Sequence, residues 1–194
     1  GELKDGEYDQ MVTQMILRTQ AQAIYSEENL GHFGLNLVRY AHFTSPIRRY
    51  ADTIVHRALI SALKLGPDGL SKEAASQLEQ TAQHISDTER RSMAAEREAT
   101  DRYLAIFLKD RVGVEFEGRI TGVTGSGLFV QLAGVGADGF IPISSISNDY
   151  WVQDEAAMAL YARGSGDTYS LGQTVRVKLK EVTPLQGGLL LQML

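Results

Sequence analysis

The chain has 194 residues, 43% of them hydrophobic, and a formal net charge of −5 at pH 7. That length and apolar content are enough for one medium domain or two small ones with real cores. The absence of cysteine excludes disulfides and thiolate metal sites, no apolar run approaches the ~20 residues of a membrane span, and the acidic balance excludes attachment to nucleic acid through bulk positive charge.

Any polyanion must therefore be held locally. The opening GELKDGEYDQ shows no basic-then-apolar leader pattern. A chain beginning at Gly1 rather than methionine is expected to be a processed or excised piece. The lack of cysteine suits a reducing cytosol, so a cytoplasmic location is expected.

Residues 8–24 read as a helix, and residues 25–41 as irregular chain with glycines at 31 and 34. Ser45 suits an N-cap and Pro46 a first helical position, which predicts a helix from there to about Leu65, where Gly66-Pro67 ends it. A short helix is expected over 72–84. Ser86-Asp87-Thr88-Glu89 matches a capping box and predicts a further helix to about Lys109.

Character changes near residue 111. VGVEFEGRITGV, GLFVQLAG, DGFIPIS, QTVRVKLKEV and GGLLLQML alternate and are separated by glycine turns, so they read as five strands. Five short strands in this space predict a small closed barrel such as an OB-fold. Residues 147–171 do not fit a tight turn and are expected to form an elaborated connection with a short helix. The fold class is therefore α+β, with a mainly helical segment over 1–111 and a five-stranded OB-fold barrel over 112–194. Neither part is basic: 13 Lys/Arg face 16 Asp/Glu in residues 1–110, and 6 face 8 in 111–194.

On a helix starting at Pro46, at 100° per residue, Val55, Leu59 and Ala62 fall within roughly 40° of Arg48. Arg48 would then sit inside an apolar stripe, where a charge must be paired or must face a cavity. It would also lie in the first turn, which favours anions. Asp52, four residues on, is its obvious local partner. Arg49 and His56 lie at the stripe's margin and Arg57 opposite it, positions where charges are usually just solvated. On the later helix Tyr103 and Phe107 fall within roughly 20° of Glu96, which places a carboxylate on an apolar face. An inward Arg48 and an inward Glu96 either neutralise each other or line a polar pocket for phosphate chemistry. The wheel leaves both open.

YSEENLGHFGLNLVRYAHFTSPIRRYADTIVHRAL (25–59) is long and irregular, and it resembles the signature of the ribonuclease II / ribonuclease R family of processive exoribonucleases. TERRSMAAEREATDRYLAIFLKD (88–110) resembles the helix closing that family's catalytic RNB domain, and the chain from about 112 resembles the ribosomal S-one type RNA-binding domain that follows it. DGFIPISSISNDYW, with its long insert, is closer to ribonuclease R than to ribonuclease II.

The resemblance implies hydrolysis of single-stranded RNA from its 3′ end to nucleoside 5′-monophosphates, with magnesium held by an aspartate cluster. It implies that Arg48 is the catalytic arginine at the scissile phosphate, and that Glu96 lies near the 3′-terminal nucleotide. Ser45 and Arg49 would touch the RNA backbone. In the barrel the resemblance implies base stacking on Phe129. Ser126 stands where another aromatic is expected, Pro142 where a histidine is expected, and Thr183 and Gly188 near the places of a late Asp and Arg. Phe116 is a core residue or a supplementary RNA platform, and Phe140 is read as core. Arg119, Arg176, Lys178 and Lys180 rank low, because strand-edge cations usually serve solubility.

The family's aspartate cluster lies upstream of GHFGL, and nothing in this chain matches it. The expected role is therefore that of a C-terminal piece: a wall of the catalytic chamber plus an RNA-guiding barrel, without bound Mg2+ and without nuclease activity by itself. Single-stranded RNA is the expected partner, no membrane is involved, and the truncated catalytic half is free to self-associate. Two competing readings remain: a non-catalytic RNA-binding or adaptor module built from a nuclease remnant, and a structural module in which Arg48 and Glu96 form a buried ion pair.

Overall fold

The computed structural model describes residues 22–194, with Ile16 and Gln20 besides; the helix expected over 8–24 falls almost wholly outside them. Two compact units are present. Among the described residues, 22–94 form one and 95–194 form the other.

In the first unit an irregular segment carries a single 3-10 turn, Phe33–Leu35, closed by a bridge between His32 and Leu37. Helix α1 follows at Tyr50–Leu63 and α2 at Lys72–Ala75. Helix α1 begins five residues after Ser45, so the expected cap at Ser45 and first turn at Pro46 are corrected. Arg49 is the N-cap, in extended conformation and without a side-chain capping bond. The amides of Arg48 and Arg49 both donate to the Ser45 carbonyl, which makes 45–49 a separate turn. Lys64, at φ 54°, closes the other end of α1.

Helix α3 runs unbroken from Leu78 to Leu108. No glycine or proline interrupts it, so nothing stops the helix ahead of the supposed capping box. Ser86 is a mid-helix residue: its hydroxyl donates to the Ala82 carbonyl at 2.8 Å and accepts the Tyr25 amide at 2.9 Å. A Ser-x-x-Glu box caps only where orphan amides exist, and here there are none.

The second unit contains a closed barrel of β1 (Glu115–Thr124), β2 (Gly127–Leu132), β3 (Asp138–Pro142), β7 (Thr174–Thr183) and β8 (Gly188–Met193), in the order β1-β2-β3-β8-β7. All pairings are antiparallel except β3 with β8. These are the five expected strands, and the order is that of an OB-like barrel. Alternation puts Ile120, Leu128, Val130, Leu132, Ile141, Val177, Leu179 and Leu191 inside, each at most 1% exposed. Ala105 and Leu108 of α3 belong to the same core.

The insertion is a correction. In place of a short helix it forms a three-stranded antiparallel sheet, β4 (Trp151–Asp154), β5 (Ala159–Ala162) and β6 (Thr168–Ser170). Trp151, Leu160 and Ala162 join the barrel's core cluster. Asp149 pins the segment by accepting the amides of Gly164 and Ser165 at 3.0 and 2.6 Å. The alanine-rich QDEAAMAL favours helix by propensity, but burying Trp151 and Leu160 against the core outweighs it.

Candidate nucleic-acid interface

In the first unit the chemistry gathers where 42–49 meets α1. Asp52 is completely buried, and a buried carboxylate must be paired and hydrogen-bonded. It accepts the Ser45 amide at 2.9 Å and a two-pronged bond from Arg49, Nε at 2.8 Å and Nη2 at 3.0 Å. Burial alone would raise its pKa. The Arg49 fork and the Ser45 amide outweigh burial and hold the carboxyl below its usual range. The same bond raises the Arg49 pKa.

Two neighbours on α1 fasten the same segment. The Thr53 hydroxyl donates to the Pro46 carbonyl at 3.0 Å, and His56 Nε2 donates to the Phe43 carbonyl at 2.8 Å while its ring stacks on Phe43. Behind this, Tyr25 bonds His42 Nδ1 at 3.2 Å, and the Tyr25, His42, Tyr40 and His32 rings meet edge to face in sequence. Burial, and then the nearby Glu89 charge, raise the Tyr25 pKa and keep it a neutral donor.

This arrangement places the two arginines differently from the helical wheel. Arg48 is exposed; it precedes α1, so a helical wheel drawn from Pro46 does not apply to it. Among the described residues its side chain has no hydrogen-bond or ion-pair partner. Arg49, expected at a solvated margin, carries the buried ion pair with Asp52 that had been expected for Arg48. Ser45 contributes its amide and carbonyl to the turn. The signal that could have found this was the i,i+3 spacing of Arg49 and Asp52 behind a proline-led turn.

Glu96 is also exposed. Its companions Met93, Tyr103 and Phe107 do form a line along α3, but they are 55%, 75% and 56% exposed. The face that α3 buries carries Ala105 and Leu108, roughly a third to half a turn away. A wheel finds an apolar line without showing whether anything covers it.

In the second unit the barrel's outer wall carries a transverse row. Gly122 of β1, Phe129 of β2, Phe140 of β3 and Leu190 of β8 are successive register partners. Phe129 is 43% exposed, and its ring lies 5.1 Å from that of Phe140. Phe140 was expected in the core; alternation on β3 turns Gly139 and Ile141 inward and Phe140 outward. Phe116, read as core or supplementary platform, takes the core alternative. It shares the inward face of β1 and packs against the core, so it is no open platform. Arg119 lies one row along, opposite Gln131. Arg176 is bound to Glu115 at 2.8 Å.

Among the described residues no three His, Asp or Glu side chains group to hold a metal ion. The described residues therefore do not fit a magnesium centre. No helix among them is long and apolar enough to cross a membrane.

The described residues thus present an exposed arginine on a clamped turn and, separately, an OB-like barrel with an aromatic pair on its outer wall. An RNB domain model matches residues 2–65, and an S1 RNA binding domain model matches residues 109–192. The chain is 42% identical over 181 residues to ribonuclease R of Escherichia coli (strain K12), covering 89% of this chain and 22% of that protein. It superposes on the apo form of Mycoplasma genitalium RNase R with a TM-score of 0.89 at 31% identity, covering 98% of this chain and 30% of that one. The match to the same enzyme in complex with ribose methylated single-stranded RNA has equal score and coverage. The chain belongs to the ribonuclease R family, and it spans under a third of the length of these relatives.

Proposed function

We propose that this chain works as part of a processive 3′→5′ exoribonuclease that hydrolyses single-stranded RNA to nucleoside 5′-monophosphates. Residues 1–111 contribute a wall of the catalytic chamber and 112–194 an RNA-binding barrel. The observation that carries the reading is the Asp52 clamp, which fixes the turn on both sides of Arg48 and leaves its guanidinium without a partner among the described residues. A fixed, unpaired arginine suits a phosphodiester, because it binds anionic oxygens without having to break an existing ion pair.

In this reading Arg48 is catalytic, Arg49 and Ser45 hold it in place, and Glu96 contacts the 3′-terminal nucleotide. Phe129 stacks a base. Carboxylates outside the described residues would hold magnesium, which would supply polarisation of the phosphoryl group and activation of water. The location is cytoplasmic. The exposed Met93, Tyr103 and Phe107 on α3 support self-association of the isolated chain.

The purified chain, given labelled single-stranded RNA and Mg2+, is expected to bind weakly and in a salt-sensitive way and to release no mononucleotides. Mononucleotide release would overturn the assignment of the metal-binding chemistry to other residues. Absence of RNA binding at low salt by folded protein would overturn the role of the barrel.

A further inference from the structure

The outer wall of the barrel holds two aromatic rings, and the family resemblance accounts for only one. We propose that Phe140 of β3 forms, with Phe129 of β2, a two-ring seat for a nucleobase of single-stranded RNA, supplying the second ring that Ser126 does not. The inference rests on the RNA-binding reading of the barrel and goes beyond it by assigning a residue and a geometry.

The two side chains are direct register partners on the outward face of adjacent strands, with ring centroids 5.1 Å apart and planes inclined at 49°. They are therefore not stacked in parallel, and Phe129 keeps 43% of its surface exposed. Glycines clear the surroundings. A Cβ at Gly122 would lie 3.2 Å from Phe129 Cδ2, and a Cβ at Gly127 would lie 2.9 Å from Phe140 Cζ. Each ring thus lies low over a bare stretch of backbone, on a wall that a flat base can approach. Leu190 extends the apolar row beyond Phe140. Arg119, one row away on β1, offers a cation to the backbone of a strand whose base sits on the rings.

A purely structural role, in which the rings only shield the two glycines, would need area but not aromaticity. Leucine at 140 would then serve as well. In the stacking role the π-face itself binds, and base–aromatic stacking tolerates any base.

The test uses the full 194-residue chain and fluorescein-labelled single-stranded oligoadenylate at low salt, read by fluorescence anisotropy. Folding of each variant is checked by thermal melting. Phe129→Ala is expected to weaken binding by roughly five- to a hundredfold. Phe140→Leu is expected to weaken it by about tenfold, while Phe140→Tyr, which keeps the ring, stays within about twofold of the parent. Loss with Phe129→Ala but unchanged affinity with Phe140→Leu would overturn this inference and leave the barrel's role standing. No binding by the parent chain, or no loss with Phe129→Ala, would overturn the barrel reading as well.

Discussion

Arg49 grips the buried carboxylate of Asp52 with two nitrogens, at 2.8 and 3.0 Å, while its chain neighbour Arg48 is left exposed. Two adjacent residues of one type therefore do different work. Asp52 also takes the Ser45 amide, so one carboxylate fixes both ends of the turn that carries Arg48. The division follows from where α1 starts: Arg49, as its N-cap, points back at the first helical turn, and Arg48 sits one residue too early to do so.

Removing Arg49 leaves a buried charge with its cation gone, so Arg49→Ala is expected to destabilise the chain clearly. Arg48→Ala, at an exposed position without a partner among the described residues, is expected to stay within about 0.5 kcal/mol of the parent. Chemical denaturation of the two variants side by side checks this. Equal losses would mean that the clamp does not distinguish them.

Acid should reach the same clamp. The Asp52 carboxyl is held below its usual range by Arg49 and the Ser45 amide against the opposing effect of burial. The carboxyl of Asp87 is held low by Arg90 and Gln83, and that of Asp149 by the amides of Ser165, Tyr150 and Gly164. A carboxyl depressed by folding contributes stability that is fully present above its unfolded pKa of about 3.9 and is lost as pH falls through the lower folded value. Melting temperature is therefore expected to fall as the pH drops below about 4. Asp52→Asn should be less stable at pH 7 and show a shallower fall in acid, as followed by melting against pH.

The barrel makes a separate demand. Leu179 is fully buried on β7, in the core that β1, β2, β3 and β8 also line. Leu179→Ala is expected to cost about 2–5 kcal/mol and to diminish RNA binding only through unfolding. Loss of binding by protein that still melts cooperatively at the parent temperature would contradict this.

The barrel was legible because each of its strands alternates with period two and has a glycine at or within two residues of one end, so inward residues such as Leu128, Val130 and Leu132 announce themselves. The insertion was not, because strands of three and four residues are too short to show a period, and Ala156-Ala157 favour helix. Phe116 stayed open between core and platform, and Phe140 was read as core, for a related reason. Composition marks an aromatic as apolar, but only the register of its strand decides which face it takes. The motif around Arg48 was visible from its residue types, whereas its geometry was not. A wheel assumes where a helix begins, and here a proline-led turn delays the start to Tyr50. Glu96 was misread because an apolar line on α3 exists without a covering layer in the described residues.

The most direct measurement of the proposed activity is mononucleotide release from labelled single-stranded RNA with Mg2+ by the full-length protein carrying Arg48→Ala, alongside its melting temperature. The account predicts that mononucleotide release collapses while melting and RNA binding through the barrel are retained. Unimpaired turnover would show that the arginine held out by the Asp52 clamp is an ordinary surface charge, and would contradict the site proposed around it.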